Sequence, residues 1–153
     1  MLKRMKISKK CQYALKAIFE LASRDIDGPT KIQDIAETQG IPQRFLEAIL
    51  NELKHGGFVE SRRGNEGGYT LARAPEDLII GEVIEYIQGP ISVSPDDDKK
   101  SKKTTIYSSD KVFEQLWQEV NETMSEVWNS KTFADLVEFE RNSSVTGISN
   151  YVI

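Results

Sequence analysis

Gln43 and Arg44 stand side by side, Asn51 follows two helical turns on, and Arg62, Arg63 and Gly64 form a second group further along the chain. These side chains carry hydrogen-bond donors in planar forks. A guanidinium such as that of Arg44 matches the O6/N7 edge of guanine, and the carboxamide of Gln43 or Asn51 matches the N6/N7 edge of adenine. Arg62 and Arg63 suit phosphates or a narrow minor groove, and Gly64 permits close approach of its backbone to a partner. Lys9 and Lys16 would neutralise flanking phosphates and set register without reading sequence. Thr30 and Pro42, at the starts of two short helices, complete the candidate DNA-binding set. The set is one for binding, because no nucleophile with its base, carboxylate pair, phosphate loop or metal-ligand cluster is legible, so no catalytic residue is assigned. The single histidine, His55, falls at a helix C-terminus, where a partly cationic imidazole complements the dipole. Gly64-Asn65-Glu66-Gly67-Gly68 falls in a hairpin and not between a strand and a helix, which excludes a dinucleotide fingerprint.

Helical spacing predicts what must hold these groups. Cys11, Ala14, Ala17, Ile18 and Leu21 mark a first helix over 8–22. Asp27-Gly28-Pro29 breaks the chain, and Thr30-Lys31-Ile32-Gln33 reads as a capping box opening a short second helix. Gln39-Gly40-Ile41 is a turn, and Pro42 suits the first position of a third helix. Its core face is Leu46, Ile49, Leu50 and Leu53, and Gly56-Gly57 ends it. Two short helices joined by a glycine-containing turn are a helix-turn-helix. Phe58–Arg63 and Tyr69–Ala72 alternate around a glycine-rich tip, the pattern of a β-hairpin, with Arg62, Arg63 and Arg73 on its stem and tip. Placed after a helix-turn-helix, the hairpin is a wing.

A fourth helix carries Ile80, Val83, Ile84 and Ile87 and stops at Gly89-Pro90. Residues 91–109, with the mixed charge run Asp96–Lys103, read as a flexible solvated loop. Asp110 is expected to cap a long helix whose stripe is Phe113, Trp117, Val120, Met124 and Val127, widened by Leu116 and Trp128. A winged helix has its own core, so this stripe is expected to be buried against a second copy of the chain, making a homodimer. Thr132 caps a last short helix bearing Phe133, Leu136, Val137 and Phe139. The fold class is mainly α with a small β-hairpin: a winged helix-turn-helix DNA-binding domain (1–90), a loop (91–109), dimerisation helices (110–140) and a flexible tail (141–153).

Composition agrees with this division. The chain of 153 residues is 39% hydrophobic and 29% charged, room for one domain with an appended oligomerisation element. No apolar run reaches the length of a membrane span, and no cleavable leader is read at the basic N-terminus, so a cytoplasmic protein with no membrane partner is expected. The net charge of -4 hides a split. Residues 1–74 carry 13 Lys+Arg against 9 Asp+Glu, net +4, while 75–153 carry 7 against 15, net -8. The basic half suits double-stranded DNA. Cys11 is the only cysteine. That forbids an intrachain disulfide and leaves too few thiolates for a zinc or iron-sulfur site of cysteine type, so no cofactor and no metal are expected. Its place on an apolar stripe makes it a small buried hydrophobe.

Met5-Lys6-Ile7-Ser8 with Tyr13-Ala14, Ile41–Glu47, the wing Arg63-Gly64-Asn65-Glu66-Gly67-Gly68-Tyr69-Thr70-Leu71-Ala72 and Gly81-Glu82-Val83-Ile84 together resemble the Rrf-two family of bacterial winged-helix regulators. The resemblance implies a dimer joined through the long helix, the helix from Pro42 in the major groove and the Arg63-Gly64 tip at the minor groove. Cluster-binding members carry three cysteines in the loop matching 91–109. This loop has none, which places the chain with the cluster-free members that regulate cysteine metabolism. The implied function is a repressor on a pseudo-palindromic operator.

Ser149-Asn150-Tyr151-Val152-Ile153 is similar to the tails of serine acetyltransferases, which end in isoleucine and insert into O-acetylserine sulfhydrylase. Backbone donors would capture the terminal carboxylate while Ile153 fills an apolar slot. The alternative function is therefore a protein-interaction module that binds this enzyme through Tyr151, Val152 and Ile153, with weak or no DNA binding.

Overall fold

Ser8 starts the first helix, its hydroxyl accepting from the Cys11 amide at 3.1 Å, which satisfies a donor that a helix start leaves free. The structure, a computed structural model, describes residues 5–24, 28–95 and 107–145. In chain order these form α1 (Lys9–Ser23), α2 (Ile32–Gln39), α3 (Gln43–His55), β1 (Val59–Arg62), β2 (Gly68–Leu71), α4 (Ile80–Gln88), α5 (Ser108–Ser130) and α6 (Phe133–Val145), with a 3-10 turn at Pro75–Asp77. Asp27, the charge run from Asp96, and the tail with Tyr151, Val152 and Ile153 lie outside the described residues.

α1 is the spine, because its predicted stripe is fully buried and α2, α3, α4 and α6 all pack on it. At its end Glu20, a buried carboxylate, accepts from Arg24 Nε and from Gln39 Nε2, and Arg24 also reaches Thr38 Oγ1 at 3.2 Å. A buried charge is tolerable when paired in this way, and the pairing buckles the ends of α1 and α2 together. β1 and β2 are antiparallel, with Val59 opposite Leu71 and Arg62 opposite Gly68.

Several local expectations give way to tertiary pairing. Thr30 is not a helix cap. The N-cap of α2 is Lys31, without a side-chain bond, and the Thr30 backbone exchanges two bonds with Tyr69, at 2.9 and 2.8 Å, as a one-residue third strand of the wing. Pro42 is the N-cap of α3 rather than its first residue; its φ is -58° and ψ 124°, and its carbonyl accepts from the Phe45 and Leu46 amides. α5 begins before Asp110, which caps from within the first turn by accepting from the Tyr107 amide at 2.8 Å. α6 continues to Val145, into the stretch expected as a tail. It also belongs to the core of the winged helix: Phe133 is fully buried and Val137 nearly so. The Phe133 amide donates to Leu78 and the Ile80 amide to Lys131. Burying one phenylalanine is worth about 1.5–3 kcal/mol, so the first domain is completed by a helix that sequence grouping places with α5.

Thr132 opens α6 as expected. Its amide donates to Asp135 Oδ2 at 2.9 Å and its hydroxyl accepts from the Asp135 amide at 3.2 Å, a reciprocal capping box. The Thr132 amide, then the Thr132 hydroxyl, with a smaller part from Lys131, hold the Asp135 carboxyl below the usual carboxylate range. A depressed folded-state value gives stability that is complete above the unfolded-state value and is lost as pH falls through the folded one. Wild type is therefore expected to melt above Asp135→Asn at pH 7, with the gap closing as pH drops through the acid range; melting curves for both across pH check this, and a gap independent of pH refutes it.

Candidate nucleic-acid interface

Because Leu46, Ile49, Leu50 and Leu53 of α3 are buried, the 3.6-residue period turns Arg44, Ala48, Asn51 and His55 outward together, and all four are exposed. Gln43, the first helical residue, flanks them. The Arg44 guanidinium lies over the Phe45 ring, 5.3 Å from its centroid. Arg44, Glu47, Ala48 and Asn51 line a shallow depression of about 410 Å³ together with Tyr69 of β2, so the outer face of α3 and the root of the wing form one surface.

A second depression, of about 490 Å³, lies between the wing tip and the start of α2, lined by Lys31, Arg62, Arg63 and Gly64 among others. Gly64 has φ +109°, a region closed to residues with a Cβ. Gly68 is required by close approach: a Cβ there would meet the Thr30 carbonyl oxygen at 2.4 Å. Lys31 is exposed and precedes a helix N-terminus, an arrangement that attracts phosphate; it was missed because only the Thr30–Tyr69 bridge brings it to the wing. Lys9 and Lys16 are exposed on one edge of α1, with Lys9 Nζ 5.2 Å from the Tyr13 ring centroid.

Two expected placements fail. Thr30 is 5% exposed, so its side chain does not face a ligand. Arg73 turns to the body of the protein, pairing with Glu82 at 3.1 Å and lying over the Phe58 ring. His55 lies in the last turn of α3, the expected position, with Nδ1 2.7 Å from the Asn51 carbonyl oxygen.

The α5 stripe divides in two. Trp117, Val120, Met124 and Trp128 are half-buried, and Trp128 packs on the core of its own subunit. Phe113, Leu116 and Val127 are exposed, as is Val112, which the stripe did not include. Asn121 bonds both backbone groups of Val93, at 2.7 and 3.0 Å, tying the segment after α4 to the middle of α5. Among the described residues no group of three or more His, Cys, Asp or Glu side chains is placed to hold a metal, and no helix is long and apolar enough to cross a membrane.

A model of the Rrf2 family, described as iron-dependent transcriptional regulators, matches residues 7–139. The transcriptional regulator CymR of Bacillus subtilis strain 168 is 33% identical over 137 residues, 88% of this chain and 91% of its own length. The solved structure of CymR, the global cysteine regulator of B. subtilis, has 32% identity and a TM-score of 0.75, with 91% of this chain and 98% of that one covered. T. potens IscR has 32% identity and a TM-score of 0.70, with 88% of each chain covered. These relatives are transcriptional regulators and not enzymes. The family match runs from α1 through the helix-turn-helix and the wing into α6, and at 33% identity over 88% of its length this chain belongs to the Rrf2 family of DNA-binding transcriptional regulators.

Proposed function

We propose that the protein is a homodimeric repressor that grips a pseudo-palindromic operator with one α3 in each half-site and controls genes of cysteine or sulfur metabolism. The observation that carries this reading is the single surface made by α3 and the wing, where Arg44 and Asn51 share a depression with Tyr69 and Arg62 and Arg63 share the next with Lys31. In a major groove, Arg44, Gln43 and Asn51 face base edges, while Lys9, Lys16, Lys31 and the wing arginines hold phosphates. The exposed apolar residues of α5 supply the face for the second copy.

The family description implies iron, and in cluster-binding members the ligands are loop cysteines. The donor set of this chain does not fit that group. Its one cysteine, Cys11, is fully buried among apolar side chains, and desolvation raises its thiol pKa, which disfavours the thiolate a cluster binds. We therefore read regulation as cluster-free, and the likeness to a cysteine regulator supports the sulfur assignment.

Binding to the DNA upstream of its own gene, followed by fluorescence anisotropy at two salt concentrations with unrelated duplex as competitor, tests the reading. A complex at least about a thousandfold tighter than the unrelated duplex, weakening steeply with salt, is expected; equal affinity for both duplexes overturns it. Run-off transcription with and without the protein then gives the sign, with lowered output expected.

A further inference from the structure

Phe45 is a large aromatic residue turned toward solvent. It is 51% exposed on the side of α3 next to Arg44, and with Tyr13 of α1 and Ala48 and Ile49 of α3 it walls a recess of about 490 Å³ whose rim carries Lys9 and Lys10. Lys10 is paired with Glu52 at 2.7 Å, whereas Lys9, with its Nζ over the Tyr13 ring, forms no ion pair among the described residues and lies on the α1 edge that also bears Lys16. We propose that this recess, as part of the DNA-binding reading above, receives a thymine C5-methyl group, with Phe45 as a specificity-determining residue.

The recess is continuous with the readout surface, because Ala48 lines both it and the depression formed with Asn51 and Tyr69. A duplex seated against Arg44 and Asn51 therefore runs across Ala48 and Phe45 within a base step or two, successive bases being about 3.4 Å apart along a strand. Of the lining, Phe45, Ala48 and Ile49 offer no side-chain donor or acceptor to a base edge, while the polar atoms beside them are the Tyr13 hydroxyl and the Glu52 carboxylate, the latter taken by Lys10. The apolar feature that the major groove presents is the thymine methyl, for which alanine and phenylalanine are suitable contacts. Lys9 at the rim suits the phosphate of the strand carrying that base, which fixes the strand over the recess.

The test uses the full-length protein and an operator half-site pair obtained by selection from random duplexes. Each thymine is replaced in turn by deoxyuridine, which removes only the methyl group. Wild type is expected to lose about fourfold in affinity at one thymine per half-site, the worth of one buried methyl. Phe45→Ala, folded by its melting curve, is expected to bind thymine and uracil duplexes alike at that position while keeping its response elsewhere. Equal wild-type affinity for thymine and uracil at every position overturns the proposal. So does a Phe45→Ala variant that loses affinity equally on both duplexes, since Phe45 then serves only to support the Arg44 guanidinium stacked on it. If selection yields no sequence-specific complex, the DNA-binding reading falls and takes this inference with it; a specific complex indifferent to the methyl removes this inference alone.

Discussion

Alanine at both Arg44 and Arg63 is expected to weaken operator binding by at least about a hundredfold while leaving the fold intact. A bidentate arginine-guanine pair is worth roughly 1–3 kcal/mol of discrimination, and the proposed symmetric dimer would carry the change twice. Arg63 acts through charge, so its loss removes about one ion equivalent per subunit from the salt dependence. The single variants separate the two roles. Arg44→Ala should relax preference at one base pair in each half-site with little change in the slope of affinity against salt. Arg63→Ala should lower affinity on specific and unrelated duplexes together and flatten that slope by about two in the dimer. Neither side chain is buried, and the stacking of Arg44 on Phe45 contributes only about 0.5–1 kcal/mol at an exposed site, so melting temperatures should hardly move. Anisotropy titrations across a salt series read both quantities; an unchanged affinity in the double variant would remove α3 and the wing from the DNA contact.

Features that rest on local periodicity were legible in the chain itself. The buried stripes of α1, α3 and α4 follow from apolar residues at helical spacing, and the wing follows from alternation around Gly64–Gly68. The outward position of Arg44 and Asn51 is the complement of Leu46, Ile49, Leu50 and Leu53. What escaped depends on which distant segment a residue meets. Thr30 and Gln33 have the spacing of a capping box, yet Tyr69 claims the Thr30 backbone for the wing. Phe133 and Val137 have the pattern of any amphipathic helix, and nothing in the sequence says that α1 is their partner. Lys31 has no neighbour of interest until the wing closes over it. Phe45 was visible, however: an aromatic residue beside Arg44 and off the core face of α3 is itself a signal, and reading the stripes alone passed over it.

Glutamate at both Leu116 and Val127 is expected to split the homodimer proposed above and leave the monomer folded. The sequence treats Leu116, Val127, Trp117 and Trp128 as one stripe, and the structure assigns them different environments. Leu116 is 44% and Val127 51% exposed, so charge at these positions costs the isolated subunit little. Trp128 packs on the subunit's own core. In a two-fold interface each substituted position recurs on the partner, so four carboxylates would be placed in or beside an apolar contact, each carrying a desolvation penalty of several kcal/mol. Sedimentation should then show a monomer with a melting temperature near that of the wild-type subunit. Affinity for the full operator should fall to that for an isolated half-site, because the second α3 no longer arrives tethered to the first. Trp128→Ala gives the contrast: it should lower the melting temperature, the cost of truncating a partly buried tryptophan, while the folded protein remains dimeric. A glutamate double variant that stays dimeric would place the interface elsewhere. A Trp128→Ala variant that dissociates without loss of thermal stability would assign that tryptophan to the partner rather than to its own core.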